Sequence, residues 1–190
     1  MPETKDEPAT SRHQAPDVVS ETGDDRAVSG PRLGLGIAAV ILVLDQLYKW
    51  WMINVYGIRL DERITVTPFL DFVYVINKGI SYGLFSQGSD AGQYILAVFA
   101  AVVAVILTIW LIRSPHTRAS ALGIGLVIGG AIGNAIDRLH LGGVADFIQL
   151  HAFGFYWYVF NIADVAIVAG VAALLYDSLV PSRKRAANET

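Results

Sequence analysis

Four long apolar runs, about Leu33–Ile53, Gln93–Ile112, Ala119–Ile136 and Phe160–Val180, divide the chain between polar stretches. At a helical rise of about 1.5 Å per residue, each can cross the roughly 30 Å hydrocarbon core of a bilayer. Gathering the apolar residues into such blocks is the habit of a polytopic membrane protein, not of a soluble core. Between the first two runs the pattern changes. Ile64-Thr65-Val66-Thr67 and Phe72-Val73-Tyr74-Val75-Ile76 are β-branched and aromatic, with Pro68 between them, so short strands are expected there. The fold class that follows is mainly α, a polytopic membrane protein of four transmembrane helices with a small β-containing extracytoplasmic cap over about residues 54–92.

Lys and Arg set the orientation. Arg26 and Arg32 precede the first run, Arg113 and Arg118 with His116 fill the loop between the second and third, and Arg183, Lys184 and Arg185 follow the fourth. With four spans all three clusters fall on one side, which the positive-inside rule makes cytoplasmic. Both termini then lie inside, and the segments 54–92 and 137–159 face out. Residues 1–32, rich in Asp, Glu, Ser, Pro and Thr, read as a disordered acidic cytoplasmic tail. They are not a secretory signal, because no short apolar stretch with a small-residue cleavage site follows a basic start. Residues 33–180 form the membrane domain, and 181–190 a short basic cytoplasmic tail.

Composition narrows the chemistry. The 190 residues are 54% hydrophobic and contain no cysteine, which removes disulfides and thiolate catalysis. A net charge of -3 says little about partners. Membrane lipids are expected around the spans, and no nucleic acid.

The polar residues of the spans gather at one depth. The first helix runs outward, so Asp45 and Lys49 (an i,i+4 pair) lie in its outer half. The third ends at Asn134, Asp137 and Arg138, which share an arc. Asp146 follows in the second outer segment, and Asn161 and Asp164 begin the fourth helix. An ionised acid at the centre of a bilayer costs about 2.5 kcal/mol or more, so such residues mark function by default. Asp146 and Asp164 in particular suggest a pair of carboxylates sharing a proton. Ala121, Gly125, Gly129 and Gly133 recur every four residues and point to close helix packing. Ala163, Ala166, Gly170 and Ala173 give the fourth helix a similar face. The aromatic stretch Phe153–Phe160 reads as an interfacial belt.

Five motifs also resemble one known family, in order and at its spacing. Asp45-Gln46-Leu47-Tyr48-Lys49 looks like its D-x-x-x-K signature, and Asn77-Lys78-Gly79-Ile80-Ser81-Tyr82 is similar to its N-x-G-x-[AS]-[FY] block. Gly129-Gly130-Ala131-Ile132-Gly133-Asn134-Ala135-Ile136-Asp137-Arg138 resembles G-G-x-x-G-N-x-x-D-R. Val144-Ala145-Asp146-Phe147 and Phe160-Asn161-Ile162-Ala163-Asp164 match V-x-D-F and F-N-x-A-D. The family is lipoprotein signal peptidase, or signal peptidase II, and the likeness covers about Leu33 to Val180. Ser81 and Tyr82 stand where many members have Ala and Phe.

The resemblance implies an aspartic endopeptidase of the bacterial cytoplasmic membrane. It would remove the signal peptide from diacylglyceryl-modified prolipoproteins, cutting just before the lipidated cysteine. Asp146 and Asp164 would be the catalytic dyad. Asn77, Asn134, Arg138 and Asn161 would position substrate or dyad. Asp45, Lys49, Gly79 and Asp137 would be structural support. No cofactor or metal is implied, and a monomer is expected.

One carboxylate would activate a water while the other holds the shared proton. Arg138 could hold a backbone or lipid-ester carbonyl or pair with Asp137. The segment Asn54–Gly92 would move over the dyad as substrate enters. Two rivals have less support. A metalloprotease using His140, Asp146 and His151 lacks an H-E-x-x-H helix. An ion-coupled carrier would need access from both sides, yet the inner halves of the spans are nearly free of charge.

Overall fold

The computed structural model describes residues 25–79 and 90–179. Helix α1 (Asp25–Trp51) runs on into a π-helical turn, Met52–Tyr56. Strands β1 (Arg63–Thr67) and β2 (Leu70–Asn77) follow, then helices α2 (Asp90–Arg113) and α3 (Arg118–Leu141). Strands β3 (Val144–Ala152) and β4 (Phe155–Tyr156) precede the last helix, α4 (Ile162–Leu179). Among the described residues four helices are long and apolar enough to cross a membrane, so the expected fold class holds. Residues 1–24, Ser81, Tyr82 and the basic cluster Arg183-Lys184-Arg185 lie outside the described residues.

At two places the helices run past the apolar runs that mark them. The tail expected over residues 1–32 gives way to helix at Asp25, eight positions before the apolar run begins. Hydropathy marks where lipid begins, whereas backbone hydrogen bonding continues into polar sequence. Gly30, packed beside His116 of the α2–α3 connection, helps to seat that extension. At the other end of the bundle α3 continues to Leu141, so Asp137 and Arg138 belong to it.

Helix α3 is the axis of the bundle. Most of its span is buried, while the other three helices turn most of their surface outward. Its small residues explain this. A Cβ on Gly129 would stand 2.6 Å from the carbonyl oxygen of Ala38 on α1, and one on Gly130 would stand 2.5 Å from that of Ala163 on α4. Nothing larger than hydrogen fits at either contact, and in lipid such close backbone approach is what holds helices together. The four-residue stripe is therefore an intramolecular face. A core of Ala38, Ala104, Leu111, Ala121, Ile124 and Ile128 packs α1 and α2 against α3.

The four strands form an antiparallel sheet in the order β1-β2-β3-β4, with α2 and α3 between its middle strands in the chain. Strands β1 and β2 lie where the β-branched pattern places them. Strands β3 and β4 were not expected, because Val144 to Phe147 are all buried and show no alternation. The sheet thus draws half of itself from beyond the expected cap. Phe147 stacks on Tyr74 of β2 at 4.8 Å and meets Tyr48 of α1 edge-on at 5.9 Å. With Met52, Ile58 and Ala145 this cluster fastens the sheet to the end of α1.

Candidate active site

Strand pairing brings the first carboxylate to its first partner. Asn77, the last residue of β2, pairs with Val144, so Asp146 is its diagonal neighbour on β3. Asn77 Nδ2 donates to Asp146 Oδ2 at 3.0 Å, and the Gly79 N–H donates to Asn77 Oδ1 at 2.9 Å. That second bond fixes which end of the amide faces Asp146. Gly79 holds φ at +90°, a backbone conformation that side chains disfavour, which accounts for glycine in the motif.

The second carboxylate comes from a helix start. Asn161 precedes α4 and accepts from the Asp164 N–H through Oδ1 at 2.8 Å; its own N–H reaches Asp164 Oδ2 at 3.4 Å. This is a reciprocal capping box, and it puts Asp164 at the positive end of α4. The backbone of Phe160 is also tied to β3. Its carbonyl accepts from the N–H groups of Phe147 at 3.1 Å and Ile148 at 2.9 Å, and its N–H donates to Ile148 at 2.9 Å. The segments after Asp146 and before Asp164 are therefore one hydrogen-bonded unit.

Asparagines join the two. Asn161 Nδ2 donates to Asp146 Oδ1 at 2.6 Å and to Asn134 Oδ1 at 3.1 Å, while Asn134 Nδ2 donates to Asp164 Oδ1 at 2.8 Å. Both amides are oriented by the Asp164 N–H, through Asn161, so each carboxylate receives donors that carry no charge themselves. Asp146 is fully buried. Burial, helped by the negative charge of Asp164, pushes its carboxyl up to about 6 against the opposing pull of Asn77 and Asn161.

Two buried ion pairs lie beside this network. Lys49 Nζ stands 2.7 Å from both Asp45 Oδ2 and Asp137 Oδ2. Gln46 Nε2 joins them, donating to Asp137 Oδ1 at 3.1 Å, Asp45 Oδ2 at 3.2 Å and the Gly133 carbonyl at 3.3 Å. Sequence reasoning gave Gln46 no role, although a polar residue in an apolar run was a sufficient signal. Arg138 does not pair with Asp137, whose oxygens are already engaged. Its Nη1 donates to the Asn134 carbonyl at 3.1 Å, and its buried Nε has no partner among the described residues. His151 lies an odd number of positions from Asp146 along β3 and contacts Asp71 Oδ1 at 3.2 Å.

The comparisons agree with one another. The family model described as signal peptidase (SPase) II matches residues 37–180. A lipoprotein signal peptidase of Rhodopseudomonas palustris is 54% identical over 155 residues, covering 78% of this chain and 93% of its own length. One from Methylocella silvestris is 50% identical over 151 residues, covering 80% and 88%. A solved bacterial membrane enzyme, determined by the in meso method at 1.9 Å resolution, superposes with a TM-score of 0.68 at 26% identity, covering 78% of this chain and 94% of that one. The chain belongs to the signal peptidase II family of membrane-embedded aspartic peptidases.

Proposed function

We propose that this protein removes the signal peptide from diacylglyceryl-modified prolipoproteins by cutting before the lipidated cysteine, with Asp146 and Asp164 as the catalytic dyad. The observation that carries this reading is Asn161, whose single side chain joins both acids in a buried site at the end of a four-helix bundle. Two carboxylates joined through one side chain, the charge of one raising the other, cannot both ionise cheaply, so they share one proton. Asp146, buried and pushed up to about 6, suits the proton holder. Asp164, at a helix N-terminus with Oδ2 meeting, among the described residues, the distant Asn161 N–H, suits the base.

In the reaction Asp164 takes a proton from water as its oxygen bonds to the scissile carbonyl carbon. Asp146 gives its proton to the developing oxyanion. As the tetrahedral intermediate collapses, the C–N bond breaks, the leaving nitrogen takes the proton held by Asp164, and Asp146 recovers its own. Neither a metal nor a nucleophilic side chain takes part in this scheme. Arg138, whose Nε has no partner among the described residues, would hold a carbonyl of the substrate backbone or lipid ester.

In this proposal the enzyme is a monomer in the bacterial cytoplasmic membrane, with both termini cytoplasmic and the dyad near the outer leaflet. The Lys and Arg clusters support that orientation. A substrate whose signal peptide spans the bilayer would then bring its lipid to the dyad along the membrane. The test is cleavage of a diacylglyceryl-modified prolipoprotein by purified enzyme in detergent, beside Asp146→Asn and Asp164→Asn. Turnover by wild type alone, each variant being folded, is the expected result. Turnover that survives either substitution refutes the dyad.

A further inference from the structure

The ion triad touches more than itself. Asp137 Oδ2, held by Lys49, also accepts the N–H of Ala145 at 3.1 Å; Asp45, held by the same Lys49, accepts the N–H of Ala163 at 3.0 Å through Oδ1. Ala145 immediately precedes Asp146, and Ala163 immediately precedes Asp164. One ammonium therefore holds two carboxylates, and each carboxylate holds the backbone N–H of the residue before one acid of the dyad. We infer that Asp45, Lys49 and Asp137 are positioning residues that set the separation of Asp146 and Asp164, and are more than a stabilising ion cluster. The inference rests on the dyad proposed above.

Three further observations support it. The triad residues are buried, as are Ala145 and Ala163, so neither amide has water as an alternative partner. The two amides come from different elements, a strand and a helix start. Phe160 ties these elements together on the residues after Asp146, and the bridge through α1 and α3 ties them a second time on the residue before each acid, so the pair is held from both sides. Gln46 occupies the remaining oxygen of Asp137, so its carboxylate cannot rotate away from Ala145. A buried ion cluster is a weak source of net stability. Proton transfer and water attack, in contrast, demand donor and acceptor placed within a fraction of an ångström.

The test compares Asp137→Ala with Asp137→Asn in the full chain, using lipid-modified prolipoprotein. Asparagine keeps an oxygen for the Ala145 N–H and gives up only the bond from Gln46, whose Nε2 stays on Asp45 and the Gly133 carbonyl. Alanine removes the acceptor. Expected are a fall in kcat of about 100-fold or more for Asp137→Ala with KM within about 3-fold, and recovery of at least a tenth of wild-type kcat in Asp137→Asn. A folded Asp137→Ala enzyme with near wild-type kcat, or a loss confined to KM, overturns the inference.

Should Asp137→Ala not fold, Asp45→Ala and Asp45→Asn take its place, removing and keeping the acceptor of the Ala163 N–H. A fall in kcat of about 100-fold in folded Asp45→Ala with KM within about 3-fold supports the inference; near wild-type kcat, or a loss confined to KM, overturns it. Wild type and Asp164→Asn run alongside. Cleavage by Asp164→Asn refutes the dyad and this inference with it, while an inactive Asp164→Asn beside an unaffected Asp137→Ala refutes the inference alone.

Discussion

Asn161 and Asp164 close the first turn of α4 on each other, the asparagine oxygen on the aspartate N–H at 2.8 Å and the aspartate oxygen facing the asparagine N–H at 3.4 Å. A common helix cap thereby aims an acid, and the leftover asparagine NH2 group reaches Asp146 at 2.6 Å. Capping and dyad alignment use different atoms of one side chain, so substitution can separate them.

Asn161→Ser retains a capping oxygen but no amide donor. It should unfold within about 0.5 kcal/mol of wild type yet turn over about 100-fold more slowly. Asn161→Ala loses the cap as well and should cost about 1 kcal/mol of stability in addition. Thermal unfolding in detergent and single-turnover cleavage measure the two effects. Equal activity of Asn161→Ser and wild type would refute the alignment role.

The raised carboxyl of Asp146 sets a pH dependence. Above about 6 the free dyad loses its remaining proton, so kcat/KM should fall on the alkaline side of that value. Asn77 donates to the ionised form, and Asn77→Leu removes that help. The alkaline limb should then move to higher pH, as read from a pH–rate profile. A limb that stays in place or moves down would exclude Asp146 as the proton holder.

The same group links stability to pH. Its ordinary value is 3.8, so between there and about 6 the folded protein binds more protons than the unfolded chain. Stability should therefore fall as pH rises through that window, by at most about 3 kcal/mol. The slope of thermal midpoint against pH should flatten in Asp146→Asn.

Packing beneath the site can be tested at Gly130. A Cβ there meets the backbone of Ala163, the residue before Asp164, so α4 must shift. Gly130→Ala should destabilise by about 1–3 kcal/mol and reduce turnover together with it. Gly36, where a Cβ meets nothing within 4 Å, is the matched control. Equal effects of the two substitutions would show that the close approach is unimportant.

Phe147 is fully buried between Tyr48 and Tyr74, which makes it the chief apolar link between sheet and α1. Phe147→Ala should cost about 3–5 kcal/mol. Circular dichroism melts would show this, and a loss under about 1 kcal/mol would mean that the sheet is held mainly by its hydrogen bonds.

Much of this was legible in the sequence, because lipid imposes simple rules. The four spans follow from length and hydropathy. The glycine stripe of α3 follows from its spacing, and the gathering of Asp45, Asp137, Asp146 and Asp164 at one end follows from counting helix directions. Capping was also written in the chain as Asn161-Ile162-Ala163-Asp164.

Tertiary structure alone decided the rest. Strand β3 was hidden because a strand buried on both faces has no alternating pattern. The bond from Asn77 to Asp146 depends on sheet register between segments 69 positions apart. Arg138 was free to pair with Asp137 until Lys49, Gln46 and the Ala145 N–H had filled its oxygens. Hydropathy and spacing report on neighbours along the chain and on the solvent around it. Which donor reaches which oxygen is a competition among groups brought together only by folding, and a local pattern carries no record of its outcome.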